Sequence, residues 1–308
     1  MANQTIVYML VLAGLTDLPS LQLPLFLVFS LIYLMTLTGN LLIVSLIFTD
    51  FHLHTQMYFF ISTLACLDIS CSSVTTPRIL FDLLTDQRLI SLQACLTQIF
   101  FFLFFIVSEV SVLSVMSYDR YIAICRPLHY MQVMSWKVCV RFVSGALVSG
   151  LVYSLVHSIF LTKLTFCSSN PLQSFFCDLP QLLEVSCSDT FINVLLIFVS
   201  GIVYGIIVIG VTVYPYIPII TTLFKSKTSN YIRSKAFSTC SSHLTVVIIL
   251  YSTFLFNYYR PNSKYHFTED KVASVFYAIV SPMVNPLIYS LRNKEVKTSL
   301  RRTLQRLH

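Results

Sequence analysis

The sequence predicts an all-α integral membrane protein, a bundle of seven transmembrane helices followed by a short amphipathic helix at the carboxyl end. Three observations carry that prediction. Of the 308 residues, 56% are hydrophobic and only 11% charged, against about 25% charged in an ordinary soluble domain. Seven apolar runs each come close to the roughly 20 residues that cross a hydrocarbon core about 30 Å thick. Basic residues crowd every second connecting segment, the pattern left when alternate loops face the cytoplasm.

The runs fall at Leu23–Phe48, Met57–Leu80, Leu96–Tyr118, Val138–Leu161, Phe191–Phe224, Ala236–Tyr259 and Val272–Leu291, the fifth long enough to tilt or protrude. Residues 1–22 are thus an extracellular segment, 23–291 the spanning domain and 292–308 a cytoplasmic tail. Met1 to Pro24 lack the basic start, apolar stretch and small-residue cleavage site of a signal peptide, so the first span is expected to direct insertion. One set of alternate loops collects fourteen of the twenty Lys and Arg residues, including Arg120, Arg126, Lys137, Arg141, Lys225, Arg233 and Lys235, while the segment before the first span has none. The amino terminus is therefore expected outside and the carboxyl terminus inside. Asn3-Gln4-Thr5 is a glycosylation sequon on the outer side. The formal charge of +7 is scattered between apolar runs and forms no basic patch interleaved with aromatics, which excludes nucleic acid as a partner.

Four cysteines, Cys95, Cys167, Cys177 and Cys187, land on the oxidising side, where disulfides persist. They allow three pairings. Cys66, Cys71, Cys125, Cys139 and Cys240 fall in spans or at the cytoplasmic face and are expected to stay reduced, as small buried residues.

Charge inside a span is costly and points to function by default. Asp68 and Glu109 stand near mid-depth of spans two and three, with Asn40, Ser111 and Asn285 at comparable depth and no Lys or Arg to pair with. The group is a candidate sodium or proton site; the plainer reading is polar glue between helices. At the cytoplasmic end of span three, Asp119-Arg120-Tyr121 suits a two-state switch, because a charge at the water boundary has different energies in different packings. The stretch Arg233 to His243 holds no acid, so Arg120 is expected to rest on Asp119, Ser238, Thr239 or Tyr216, a soft latch with appreciable basal activity. Span seven reads Ser281-Pro282-Met283-Val284-Asn285-Pro286-Leu287-Ile288-Tyr289. Its prolines remove backbone hydrogen bonds and build in a bend. The tail, Arg292 to Arg306, alternates basic and apolar residues and reads as a helix lying on membrane lipid.

Small-molecule pockets are concave and mainly apolar. Phe102, Leu103, Ile106 and Val107 recur at helical spacing on span three, and Tyr251, Phe254, Leu255 and Tyr258 on span six; Ser200 and Tyr204 add hydroxyls from span five. Each alone is as well explained by bundle packing or lipid contact. Together they describe a lining without charge, suited to a neutral ligand, with Tyr251 placed to couple ligand to motion. A transporter or channel is the rival class, resting on Asp68, Glu109 and the bent span seven. Enzyme chemistry lacks its parts, since there is no Gly-x-Ser-x-Gly elbow, His-Glu-x-x-His pair or paired aspartates.

Four strings carry a resemblance. Met116-Ser117-Tyr118-Asp119-Arg120-Tyr121-Ile122-Ala123-Ile124-Cys125, continued by Pro127-Leu128-His129-Tyr130, is joined by Leu53 to Phe60, Lys235 to Leu244, and Pro282 to Asn293. In these the chain resembles the rhodopsin-like G protein-coupled receptors, and within them the vertebrate olfactory receptors, over nearly its whole length. The resemblance implies a plasma-membrane receptor for small, mostly neutral odorants. It further implies coupling through a stimulatory-class heterotrimeric G protein to cyclic AMP, disulfides Cys95–Cys177 and Cys167–Cys187, and glycosylation at Asn3. From the residues themselves, the expected switch comprises Asp119, Arg120, Tyr121, Tyr216, Asn285, Pro286 and Tyr289, and no cofactor is expected beyond sodium as an allosteric ion. Three residues depart from the family pattern. Gln56 replaces a proline, Pro215 a serine, and Ser252 a glycine.

Overall fold

The structure, a computed structural model, describes residues 9–16, 18–85, 87–166, 172–225, 240–241, 243–252, 274–292 and 294–307. Within these, five helices are long and apolar enough to cross a membrane, Pro19–Thr49, Gln56–Thr85, Leu92–Cys125, Trp136–Leu161 and Phe191–Leu223. Two shorter apolar helices, His243–Ser252 and Ala278–Ile288, hold the sixth and seventh places. The chain is a helix bundle with each expected span present in whole or in part. Span three begins earlier and ends later than its apolar run. Ser91 caps its start by accepting from the Ala94 amide at 3.2 Å, which satisfies one of the amides a helix start leaves open.

Of these five long helices span three is the most buried and span five the least, so the described bundle is built around span three. Lipid tails are as apolar as leucine, and helices in a bilayer associate by close packing rather than by the hydrophobic effect. Gly150 of span four shows how close. A Cβ there would stand 2.6 Å from the Phe104 carbonyl oxygen and closer still to Ser108 Oγ.

Proline shapes two spans. Span five is interrupted at Tyr214 and Pro215, with helices Phe191–Val213 and Tyr216–Lys225 on either side. Span seven carries a π-helical turn, Phe276–Val280, directly before Ser281–Arg292. Pro282 cannot donate to the carbonyl one turn earlier and its ring crowds that carbonyl; the wider turn absorbs the misfit.

The end of the bundle nearer Met9 is a built cover. Met9–Val11 pairs antiparallel with Leu89–Ser91, Met9 opposite Ser91, and Leu12 bridges to Leu172. Gly14, at φ 73°, turns the chain, and the Arg88 guanidinium donates to the carbonyls of Ala13 at 2.9 Å and Thr16 at 3.1 Å. Cys95 is bonded to Cys177, beside a short helix, Leu179–Glu184. Leu10, Leu12, Ile90, Leu172, Leu179 and Leu182 are buried together beneath this layer. Cys187 is disulfide-bonded as well; its expected partner Cys167 and the sequon residue Asn3 lie outside the described residues.

At the opposite end of the bundle the tail forms the helix Lys294–Leu307. Glu295 accepts from the Tyr58 hydroxyl at 2.9 Å, and Arg302 lies 3.8 Å from Asp50 of the first loop. The Ser299 hydroxyl and His52 beside Asp50 hold its carboxyl down to about 2. Gln56 opens span two as a buried residue and reaches Met131 Sδ at 3.8 Å.

Candidate functional site

A cavity of about 250 Å³ lies among spans three, four, five and six. Span three supplies Ile106, Val107 and Val110, span four Tyr153, and span six Tyr251. Span five supplies Gly201, Ile202, Tyr204, Gly205, Ile206, Val208 and Ile209. The room comes from glycine, since a Cβ added at Gly205 would meet no atom within 4 Å. The tyrosine hydroxyls are already engaged. Tyr204 bonds the Ser111 hydroxyl and the Val107 carbonyl at 3.1 Å, Tyr251 bonds Thr212 at 3.0 Å, and Tyr153 accepts from Ser200 at 3.3 Å. What the wall presents is aromatic faces and aliphatic carbons.

Of the residues read as a lining, Ile106, Val107, Tyr204 and Tyr251 are brought together here. Phe102 and Leu103 are not. They sit one turn nearer the cover, Phe102 with its ring 5.5 Å from that of Phe176 and Leu103 in the buried layer beneath it. Helical spacing had placed them on the right face but not at the right depth. Ser200 stands behind the wall, 3.1 Å from His157 Nε2. Phe254, Leu255 and Tyr258 lie outside the described residues. Sequence reasoning missed Val110, Tyr153 and the span-five stretch from Gly201 to Ile209; the pair Gly201 and Gly205, one turn apart, was the available signal.

Two polar ties run from span six to span three. In the outer one, Tyr251 bonds Thr212, which bonds Ser114 at 2.9 Å. In the inner one, buried His243 has Nδ1 2.6 Å from the Tyr216 hydroxyl and Nε2 3.1 Å from the Leu113 carbonyl. A carbonyl only accepts, so Nε2 carries the proton and Tyr216 donates to Nδ1. Leu113 and Ser114 are neighbours, so both ties end at one level of span three.

Asp68, Glu109 and Asn285 also converge. Asn285 Nδ2 lies 2.9 and 3.2 Å from the two Asp68 carboxylate oxygens and 3.0 Å from Glu109 Oε1. Glu109 Oε2 is buried with no hydrogen-bond partner among the described residues. Asn40, by contrast, donates to the carbonyls of Thr36 and Pro282 at 3.0 and 3.3 Å, and Ser111 serves Tyr204. Two bare carboxylates at one amide would repel strongly in a low-dielectric interior. The donor set, all oxygen with one unpartnered atom, therefore fits a proton or a small hard cation.

At the end of span three nearer the tail helix Asp119 is buried and accepts from the Tyr130 hydroxyl at 2.7 Å. Burial, and then Asp119 itself, pushes the Tyr130 phenol up. Arg120 is half-buried, and Tyr121 packs against the cluster of Tyr216, Ile219 and Cys240. The Tyr216 hydroxyl donates to His243 of span six and keeps lone pairs free to accept, and the Arg120 charge lies close enough to act on both residues; Ser238 and Thr239 lie outside the described residues. Pro286 is buried beside span one, against the Gly39 backbone. Tyr289 is helical, its side chain outside the described residues.

Against known proteins, the family model described as "Olfactory receptor" matches residues 29–306. Olfactory receptor 5B12 of Homo sapiens is 48% identical over 307 residues, covering 99% of this chain and 96% of that protein. Olfactory receptor 8B8 of Mus musculus is 45% identical, covering 96% and 95%. The olfactory receptor-like protein COR5 of Gallus gallus is 47% identical, covering 96% and 94%.

Proposed function

Since the chain belongs to the olfactory receptor family, we propose that it detects small neutral organic molecules in the cavity between spans three, four, five and six. It signals through a stimulatory-class heterotrimeric G protein to cyclic AMP, at the plasma membrane, with its amino terminus outside. The observation that supports this reading most directly is Tyr251, which forms part of the cavity wall and is tied through Thr212 to Ser114. A guest that displaces the ring acts on a contact between three spans. At about 250 Å³ the cavity falls below the roughly 300–1,000 Å³ of pockets for drug-sized ligands, which favours compact volatiles. Among the described residues no charged side chain lines it, so an ion would enter without a partner.

The carboxylates of Asp68 and Glu109 would hold sodium as an allosteric ion, with Asn285 Nδ2 donating to both and orienting them. Bound, it would supply the positive charge that lets both carboxylates stay ionised.

The test is a panel of chemically diverse neutral odorants on cells with confirmed surface expression, reading cyclic AMP and, in parallel, ion and solute flux. Ligand-dependent cyclic AMP without flux is expected. Flux without cyclic AMP would replace the receptor with a transporter or channel.

A further inference from the structure

Among the described residues, the extracellular cover leaves little room for an apolar molecule to arrive from water. Leu12, Phe176, Cys177 and Leu182 are completely buried in it, and the strand Met9–Val11 is stitched across it. The cavity's other boundary is different. Ile202 and Ile206, one turn apart on span five, line the cavity and are nevertheless 48% and 68% exposed. In a bundle enclosed by lipid, the surface to which they are exposed is hydrocarbon. Between them Gly205, with open space where a side chain would begin, brings bare helix backbone to the wall.

We infer that this site is filled sideways, from the bilayer, by apolar molecules that first dissolve in the membrane and then pass the Ile202, Gly205 and Ile206 stripe of span five. The physical chemistry agrees on each count. An apolar compound concentrates in lipid before it meets the protein, gaining about 0.8 kcal/mol for each methylene removed from water. The wall asks no hydrogen bond of it, because the tyrosine hydroxyls are engaged within the protein. Two flexible isoleucines gate the passage at small cost, since rotamer changes of exposed side chains are fast. The inference rests on the reading of the cavity as the ligand site and adds its route and the ligand's required solubility in lipid.

The experiment uses full-length protein in lipid nanodiscs and measures thiol modification by mass spectrometry. Gly205→Cys places a thiol in the wall, and Leu128→Cys, at a position 92% exposed in the loop after span three, is the water-facing reference. A membrane-dissolved N-dodecylmaleimide is compared with a sulfonated, water-borne maleimide. Charge is costly in hydrocarbon, so the dissolved reagent should modify Gly205→Cys at least about tenfold faster, relative to Leu128→Cys, than the sulfonated one. Adding Ile206→Trp, or separately Ile202→Trp, should slow the dissolved reagent at Gly205→Cys by about tenfold while leaving Leu128→Cys unchanged. Comparable modification by the sulfonated reagent, or indifference to both tryptophans, would overturn the lateral route. Labelling does not depend on signalling, so a chain that never responds to odorants would sink the receptor reading and leave this ratio intact.

Discussion

The hydroxyl of Tyr216 lies 2.6 Å from Nδ1 of His243, and that single bond joins span five to span six where both residues are buried. Removing it leaves a buried imidazole nitrogen unpaired, at about 1–3 kcal/mol. Tyr216→Phe should therefore raise basal cyclic AMP severalfold at matched surface density. His243→Phe should do the same, and the double variant should add little, because both changes cut one contact. Basal signalling that stays flat in both variants would show that the bond is not part of the resting restraint.

Tyr251→Phe keeps the shape of the cavity and deletes the hydroxyl that reaches Thr212. A neutral hydrogen bond contributes about 0.5–1.5 kcal/mol, so the maximal odorant response should fall several-fold while potency moves less. Thr212→Val should reproduce this. Dose-response curves for the single and double variants test the linkage: effects that add fully would mean Tyr251 and Thr212 act separately.

Gly150→Val forces a side chain into the carbonyl of Phe104, and overpacking of this kind costs about 1–3 kcal/mol or more. Surface expression should drop sharply. Gly210, where an added Cβ would meet nothing within 4 Å, is the control, and Gly210→Ala should express normally. Flow cytometry of an epitope-tagged receptor reads both.

Sodium should shift agonist potency in the parent protein. Asp68→Asn and Glu109→Gln should each abolish that shift, since each removes a carboxylate from the Asn285 cluster. Persistence of the sodium effect in both variants would dismiss the ion and leave proton uptake as the role of the pair.

Docking of the tail helix should be insensitive to pH near neutrality. The Asp50 carboxyl is held below its ordinary 3.8, at about 2, so its contribution is complete above the ordinary value and lost only as pH falls toward 2. Amide exchange across Lys294–Leu307 should be flat, apart from intrinsic base catalysis, from about pH 5 to 8. Asp50→Asn should speed it at neutral pH. Slow, unchanged exchange in that variant would assign the docking to Tyr58 and Glu295 instead.

The architecture was legible in the sequence because lipid imposes a length and a polarity on each span, and no soluble alternative hides so much apolar surface. The proline break at Tyr214 and Pro215 was legible for a related reason, a missing backbone donor. The cavity was only half legible. Spacing puts Phe102 and Ile106 on one face of span three, yet depth decides that the first meets Phe176 and the second a void. Gly205 reads in sequence as a packing residue, and only the positions of other helices reveal that nothing packs there. The strand Met9–Val11 was missed because its partner, Leu89–Ser91, lies beyond two spans, and residues 1–22 alone look like a plain extracellular segment. His243 was missed in its role because its two partners, Tyr216 and Leu113, come from different helices.

The meeting of Asp68, Glu109 and Asn285 at one amide nitrogen fixes a point on span seven in the middle of the bundle, with the wide turn Phe276–Val280 on one side and Pro286 on the other. A rod pinned at its centre works as a seesaw. An inward nudge at the outer arm would emerge as an outward swing at the inner arm, with the three residues as the fulcrum that sets the gearing between the two faces.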